Sequence, residues 1–194
     1  MDTLQAILLG IVQGITEFLP VSSSGHLQIA KELLGVELEE NLTFDVALHA
    51  ATVLSTIVVL WSEVARLLRG LFSRRFNEEQ AYVLKLLLSM IPIGIVGFTL
   101  KDRLDALLES PAILLVVGCM LLVTAALLAF AYYAKPRQKA QLSYRDAFLI
   151  GVAQAVAALP GLSRSGSTIA TGLLLGNRKQ TVAQFPFLMV LAPI

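Results

Sequence analysis

The stretch that decides the fold is PAILLVVGCMLLVTAALLAFAYYA, residues 111–134, which contains no charged side chain. A helix needs about 20 predominantly apolar residues to cross a bilayer, so this stretch predicts a transmembrane span. Residues 42–61 and 82–100 are also long apolar blocks and carry few charges. The pattern therefore predicts three transmembrane spans within residues 42–134.

The composition agrees with a membrane protein. Hydrophobic residues make up 56% of the chain, charged residues 15%, and the mean hydropathy is +0.75, whereas soluble domains carry about 25% charged residues. The net charge of +1 gives no electrostatic basis for nucleic-acid binding, and the single Cys119 excludes a disulfide scaffold. Because no segment alternates as a barrel strand does, we predict an all-α, polytopic membrane protein that forms one integral membrane domain.

Basic residues between the spans predict the orientation, because short cytoplasmic segments are enriched in Lys and Arg. Four arginines lie within residues 62–80, and four basic residues lie within residues 135–145. Residues 101–110 carry three acidic against two basic residues. We therefore expect both basic segments to be cytoplasmic loops and residues 101–110 to lie outside.

Two shorter apolar units flank the three spans. Acidic residues lie on both sides of the apolar part of residues 1–41, and basic residues lie on both sides of residues 146–176. By the same charge bias, each unit is expected to enter the membrane and return as a re-entrant helical hairpin, from opposite faces. A simple span by residues 3–19 is the alternative, because the bias is a weak guide near a chain terminus.

An internal repeat relates the two units. An offset of 141 residues aligns them without a gap and pairs Gly10 with Gly151, Gln13 with Gln154, Ser22 with Ser163, Ser24 with Ser165 and Gly25 with Gly166. Short apolar segments broken by Gly and Pro at corresponding positions are typical of an inverted-topology repeat with a binding site near the membrane midplane. We therefore predict that the two hairpin tips meet and form one composite site.

The first tip, residues 13–26, reads QGITEFLPVSSSGH. Gln13 and Glu17 share a helix face, where an amide and a carboxylate can bind a hard cation or a water. A carboxylate in an apolar helix is costly unless it is paired, which favours a function for Glu17 over a water-facing helix end. His26 is a proton-transfer candidate or a polar group satisfied at a turn. For the three serines, residues 22–24, two interpretations stay open: they bind a ligand, or they only cap the next helix.

The second tip, residues 160–168, reads PGLSRSGST. Its glycines allow tight turns, its hydroxyls surround Arg164, and a helix is expected to begin just after them. Helix N-termini, exposed backbone N–H groups and an Arg fork suit a phosphate, although Arg164 could also snorkel to the interface. With Glu17 and His26, this set suits phosphoryl transfer. Because the chain has no Gly-x-x-x-x-Gly-Lys loop, we expect a lipid to present the phosphate.

At these residues the chain resembles the undecaprenyl-diphosphate phosphatase family, also called the bacitracin-resistance protein family. Residues 13–26 are similar to its signature (Glu/Gln)-x-x-x-Glu-Phe-Leu-Pro-(Val/Ile)-Ser-Ser-(Ser/Thr)-Gly-His, and residues 160–168 to Pro-Gly-x-Ser-Arg-Ser-Gly-x-Thr. The stretch FDVALH, residues 44–49, and the order of the spans also resemble the family. The resemblance covers essentially the whole chain. It implies hydrolysis of undecaprenyl diphosphate to the monophosphate and inorganic phosphate, which recycles the lipid carrier of cell-wall synthesis.

The resemblance also implies roles for the motif residues. Glu17 and Gln13 would bind a divalent cation, Mg²⁺ or Ca²⁺, and Arg164 would clamp the diphosphate. The attacking group stays open between Ser23, His26 and a metal-bound water. The remaining motif residues would hold phosphate oxygens through hydroxyls and backbone N–H groups: Ser22, Ser24, Gly25, Ser163, Ser165, Gly166 and Thr168.

For location and partners, the resemblance implies a multi-pass protein of the bacterial inner membrane. Its site would open to the outer side and take a polyprenyl diphosphate, and a homodimer is a further expectation. Three features depart from the family. Gln13 leaves the metal site one carboxylate short, and Gln184 and Pro186 replace Arg and Ser of the family's Ala-Arg-Phe-Ser-Phe, which puts the following helix in question. Residues 181–194 are read as the start of a further span in a truncated chain.

Two rival functions fit part of the pattern. A polyprenyl-phosphate flippase or anion transporter also uses inverted hairpins, but Asp45, His49 and Lys85 are the only charged or imidazole side chains in the three spans, and all lie near span ends or starts. A phosphatidic-acid phosphatase has a Pro-Ser-Gly-His element, which Ser23–His26 echoes. Its Lys-x6-Arg-Pro element has no counterpart, because the chain contains no Arg-Pro pair. A hydrolase of lipid diphosphates is therefore the preferred function.

Overall fold

A computed structural model describes residues 2–36, 42–133, 139 and 141–189, apart from the side chains of residues 42, 43 and 45. Over these ranges the chain is helical and has no β-strand; one isolated β-bridge pairs Lys139 with Asn177. The helices are α1 (Thr3–Glu17), α2 (Ser23–Leu33), α3 (Leu42–Val59), α4 (Trp61–Leu71), α5 (Glu78–Thr99), α6 (Lys101–Leu108), α7 (Ile113–Tyr133), α8 (Tyr144–Val156), α9 (Arg164–Leu174) and α10 (Lys179–Met189). The prediction of an all-α protein is confirmed.

Polar side chains fix the start of several helices. Asp2 accepts a hydrogen bond from the backbone N–H of Gln5, and the Gln5 side chain accepts one from the Asp2 N–H. Asn77 and Gln80 form the same reciprocal capping box at the start of α5. Such caps satisfy N–H groups that the helix itself leaves without partners, so these helices begin where the sequence supplies the capping residue.

In the described part of the chain, two helices are each long and apolar enough to cross a membrane. They are α5, with a mean hydropathy of 2.0, and α7, with a mean hydropathy of 2.9. They coincide with the predicted spans 82–100 and 111–134. Large apolar side chains on them face outward; Phe98, for example, is 95% exposed. Outward-facing apolar side chains are expected where lipid is the solvent.

The third predicted span differs from its prediction. Helix α3 ends at Val59, and α4 continues from Trp61 after a bend of 79°, so the two count as one broken span or as a re-entrant element. Residues 62–80 were predicted to be a loop, but α4 occupies the first half. This helix is amphipathic: Leu67 is buried, while Arg66 donates to Glu63 at 2.6 Å on the exposed side. An amphipathic basic helix suits a membrane surface.

Two other predicted features are corrected. Residues 101–110, expected to be a loop, contain the helix α6. Pro186, which put the following helix in question, lies inside α10 and is buried, and the helix continues to Met189. The neighbouring Phe185 is also fully buried and packs edge-on against Tyr82 at 5.6 Å between ring centroids. Burial against α5 therefore holds α10 together across the proline.

The two motif-bearing units each form a pair of packed helices, α1 with α2 and α8 with α9. Helix α8 also packs along α5, and α9 packs against α7. The larger hydrophobic cluster joins α4, α5, α8 and α10: Leu67, Leu86, Leu142, Ala147, Ile150, Phe185, Leu188 and Met189. The spans thus support the second helix pair from two sides, which fixes the position of the tip between α8 and α9.

Gly151 permits the close approach of α8 to α5. A Cβ atom at this position would overlap the backbone of Ser89. Gly151→Ala is therefore expected to destabilise the protein by about 1–3 kcal/mol, the usual cost of overpacking, and to lower the midpoint of thermal unfolding in detergent. Gly94→Ala is the control, because a Cβ there meets nothing within 4 Å. Equal midpoints for the two variants would contradict this packing.

Candidate functional site

The tips of the two helix pairs are in direct contact. A Cβ atom on Gly25 would lie 3.1 Å from the Cα of Gly161, and a Cβ atom on Gly166 would lie 3.0 Å from the carbonyl oxygen of Pro20. These distances are tighter than ordinary Cβ contacts, so glycine at both positions favours the close approach of the two backbones. The structure therefore brings together two segments that lie far apart in the sequence.

The helices α2 and α9 begin at the tips with the same cap. The Ser22 hydroxyl accepts from the N–H of Gly25 at 3.3 Å, and the Ser163 hydroxyl accepts from the N–H of Gly166 at 3.0 Å. The helix N-termini carry partial positive charge and further N–H groups, which makes each of them suitable for an anion. Both helix N-termini lie where the two tips meet.

Further hydroxyls surround these caps. Ser24 lies 3.3 Å from Ser22, and Ser165 lies 3.3 Å from Ser163, in each case between Oγ atoms. Thr168 behaves differently, because its hydroxyl donates to backbone carbonyls of α9, at 2.8 Å to Arg164, and the residue is 2% exposed. The structure thus brings the serines to the junction and uses the Thr168 hydroxyl inside its own helix.

Glu17 joins the two tips electrostatically. Its Oε1 lies 3.8 Å from Nη2 of Arg164, and its Oε2 accepts a hydrogen bond from Nε2 of Gln13 at 3.0 Å and another from the Ser23 hydroxyl. The side chain of Glu17 is 11% exposed and that of Arg164 is 31% exposed. A carboxylate with so little access to water is stabilised by partners of this kind. Glu17 and Arg164, the two charged residues of the predicted hairpin tips, therefore form an ion pair with each other.

Gln13 lies behind Glu17 and is 2% exposed. Its Nε2 also lies 3.4 Å from Oγ1 of Thr52 on α3, while its carbonyl oxygen Oε1 is buried and has no hydrogen-bond partner among the residues that the structure describes. Buried polar atoms are nearly always paired. This acceptor beside a carboxylate is consistent with a ligand that supplies positive charge or a proton.

His26 is held by the tip backbone. Its Nδ1 lies 2.8 Å from the carbonyl oxygen of Ser22, and because a carbonyl only accepts, the Nδ1–H is the donor. In the neutral ring, Nε2 then carries the lone pair and can accept a proton. Within the described part of the chain, no hydrogen bond links the ring to Glu17. The structure therefore places His26 at the first tip, separate from the Glu17–Arg164 pair.

A cavity of about 560 Å³ opens at this junction. Seven of the residues predicted for the site line it: Glu17, Ser22, Ser23, Ser24, Ser163, Arg164 and Ser165. Its other walls are mainly apolar and include Val46, Ile93, Leu108, Val117, Leu159 and Phe187. A pocket with a charged end and apolar walls suits a ligand with an anionic head and an apolar remainder.

Several polar residues that line this cavity were not among the predicted site residues, and two of them are deeply buried. Lys31 is 5% exposed and Gln154 is 3% exposed, and both line the cavity. Lys31 follows Ser24 by seven residues on α2, so helical periodicity could have placed it on the cavity face. Gln154 corresponds to Gln13 in the internal repeat. Both signals were present, but neither residue belongs to a recognised motif.

The oxygen donors at this site suit a divalent cation whose other ligands are waters and substrate phosphates. Among the described residues, no group of three or more His, Cys, Asp or Glu side chains could hold a metal. Glu17, the free carbonyl oxygen of Gln13 and the Ser23 hydroxyl are hard oxygen donors, however, and Mg²⁺ commonly uses one or two carboxylates with waters and substrate phosphates. The residues present are therefore compatible with a divalent cation.

Comparisons with known proteins agree with the motifs. The family model of "Bacitracin resistance protein BacA" matches residues 6–194. The chain is 63% identical to an undecaprenyl-diphosphatase of Parabacteroides distasonis, over the whole chain and 72% of that protein. It is 61% identical to an undecaprenyl-diphosphatase of Bacteroides fragilis over the same shares. An undecaprenyl-diphosphatase of Methanosphaera stadtmanae is 38% identical, over 97% of the chain and 73% of that protein.

Proposed function

Because the chain belongs to the bacitracin resistance protein BacA family, we propose that it is an undecaprenyl-diphosphatase of the membrane. It hydrolyses undecaprenyl diphosphate to undecaprenyl phosphate and inorganic phosphate, and so recycles the lipid carrier for cell-wall synthesis. The observation that carries the assignment of the site is the Glu17–Arg164 pair, which joins the two motifs at 3.8 Å inside one cavity.

Arg164 and the two helix N-termini bind the diphosphate in this proposal. The Arg164 guanidinium lines the cavity beside the caps of α2 and α9. A guanidinium fork and helix N-terminal N–H groups both match phosphate oxygens. Phosphoryl transfer needs mainly positioning and neutralisation of charge on these oxygens, so a fixed cation with prepared N–H donors supplies what the reaction requires.

Glu17 is placed to accept a proton from the attacking oxygen. Its Oε2 already accepts a hydrogen bond from the Ser23 hydroxyl, so the same oxygen can take the proton from Ser23 or from a water in its place. The attacking oxygen forms a bond to the terminal phosphorus while the bond from that phosphorus to the bridging oxygen breaks, and the bridging oxygen leaves with undecaprenyl phosphate. Attack by water gives inorganic phosphate directly; attack by Ser23 gives a phosphoserine that water then hydrolyses. His26 Nε2 is the second proton-transfer group at the first tip.

We also propose that Glu17 and Gln13 hold a divalent cation, Mg²⁺ or Ca²⁺. The support is the unpartnered carbonyl oxygen of Gln13 beside the Glu17 carboxylate. When bound, the cation supplies further neutralisation of the diphosphate charge. Arg164 then remains the guanidinium that the chain itself provides for the diphosphate.

For the architecture, we propose that the pairs α1–α2 and α8–α9 are re-entrant hairpins of an inverted repeat. The corresponding serine-cap hydrogen bonds at an offset of 141 residues support this symmetry. The basic amphipathic helix α4, with Arg66 and Arg69, is proposed to lie on the cytoplasmic side. The cavity then opens toward the outer side.

Phosphate release from undecaprenyl diphosphate by the purified full chain in detergent tests this function. We expect release that stops with a chelator and returns with Mg²⁺ or Ca²⁺, and we expect no release from phosphatidic acid. An Arg164→Ala preparation controls for contaminating phosphatases. Folded protein that releases no phosphate but carries a polyprenyl phosphate across vesicles would establish the flippase instead.

A further inference from the structure

Helix α7 supports both tips of the site. A Cβ atom on Gly161 would lie 2.7 Å from the Cα of Val117, so the second tip rests on the backbone of α7. A Cβ atom on Gly25 would lie 3.3 Å from Cδ2 of Leu121, so the first tip rests on the next turn. The residues Val117, Leu121 and Thr124 follow the i, i+4, i+7 spacing of one helix face. One face of α7 is therefore the common floor under both tips.

Thr124 makes the polar contact on this face. Its Oγ1 accepts a hydrogen bond from the backbone N–H of Ser163 at 3.1 Å and donates to the carbonyl oxygen of Met120 at 3.0 Å. Thr124 is 3% exposed and Ser163 is 1% exposed. In such surroundings an N–H group that loses its partner is costly. The hydroxyl therefore fixes the backbone of the second tip at one point.

The contact is one residue away from Arg164. Ser163 caps α9 through its side chain while Thr124 holds its backbone N–H, and Arg164 is the next residue in the chain. A shift of the Ser163 backbone would move the Arg164 guanidinium relative to Glu17 on the other hairpin. The β-branched threonine has a restricted side-chain torsion in a helix, and its hydroxyl commonly bonds the carbonyl one turn back, so its oxygen presents a rigid acceptor.

We propose that Thr124 is a positioning residue for the phosphate-binding tip: through the Ser163 N–H it keeps Arg164 aligned with Glu17. The inference rests on the proposed diphosphatase function. Misplacement of a reacting group by about 1 Å costs up to about 10²-fold in rate. The role is thus a kinetic one, and it belongs to a residue of a transmembrane helix that lies outside both motifs.

The test compares Thr124→Val with Thr124→Ser in the phosphate-release assay. Valine keeps the shape and removes the acceptor, whereas serine keeps the acceptor. We expect Thr124→Val to lower kcat by about 10- to 100-fold with KM within about threefold of the original, and Thr124→Ser to stay within about threefold in both. Ser89→Ala is the matched control, because Ser89 is fully buried in α5 and its hydroxyl donates only within its own helix, to Leu86.

If Thr124 only stabilised the fold, its substitution would change the protein yield or the unfolding temperature without changing kcat per folded molecule. Rates are therefore normalised to the monodisperse protein after size exclusion. If Thr124→Val does not fold, Thr124→Ala replaces it in the comparison with Thr124→Ser. A kcat of the valine or alanine variant within twofold of the original, or an equal loss in the serine variant, would overturn the proposal. If Arg164→Ala also keeps its rate, the proposed site fails as well; if only Thr124 is neutral, this inference alone fails.

Discussion

Arg164→Ala is expected to lower kcat/KM for undecaprenyl diphosphate by at least about 10²-fold. The guanidinium lies at the junction of the tips and lines the cavity with the serine caps. Removal of one donor that stabilises transition-state charge typically costs about 10²–10³ in rate. Arg164→Lys keeps the charge but loses the planar fork, so an intermediate loss of about tenfold is expected. Initial rates of phosphate release over a range of lipid concentrations measure both.

Arg69→Ala is the control for a loss of positive charge. Arg69 is exposed on α4 and does not line the cavity, so its removal should leave kcat/KM within about twofold. If Arg164→Ala behaves like Arg69→Ala, Arg164 does not contact the diphosphate, and the assignment of the second motif to phosphate binding is wrong.

Glu17→Gln is expected to produce a loss of similar size, again at least about 10²-fold. The substitution keeps the volume and removes the charge and the proton acceptor for the Ser23 hydroxyl. General acid–base catalysis contributes about 10²–10⁴-fold, and in this variant the proton of the attacking oxygen has no carboxylate to accept it. The loss should fall on kcat and should not be recovered at higher Mg²⁺ or Ca²⁺.

Glu32→Gln is the matched control on the same hairpin, because Glu32 is an exposed carboxylate of α2. Its rate should be unchanged. Recovery of Glu17→Gln to the original rate at high metal concentration would show that Glu17 acts as a cation ligand alone and not as a proton acceptor.

Hydropathy and the repeat predicted much of this molecule. The charge-free block 111–134 and the block 82–100 became the helices α7 and α5 because burial in lipid requires only length and apolar composition. The meeting of the two tips was also predictable, since the repeat pairs serines, glycines and glutamines at one offset. Periodicity along one helix and symmetry between segments are properties of the sequence itself.

Other features depend on contacts that a sequence does not encode locally. The 79° bend between α3 and α4 falls at Leu60, near the end of the apolar block 42–61, but hydropathy does not predict that a helix continues beyond it at this angle. The hydrogen bond from Ser163 to Thr124 joins residues 39 positions apart. In the sequence, nothing distinguishes Thr124 from other threonines of transmembrane spans. Lys31 lies at the end of a motif-bearing segment, and its place in the cavity wall was recognised only from the structure.

The central claim is that the two tips form one catalytic site. A double-mutant cycle of Glu17→Gln and Arg164→Lys, measured as kcat/KM for phosphate release, tests it most directly, because residues that act as one unit give non-additive losses. We predict that the double variant is at least about tenfold faster than the product of the two single losses, a coupling of about 1.4 kcal/mol. Losses that multiply, with the double variant at the product of the singles, would show two independent sites and contradict the account.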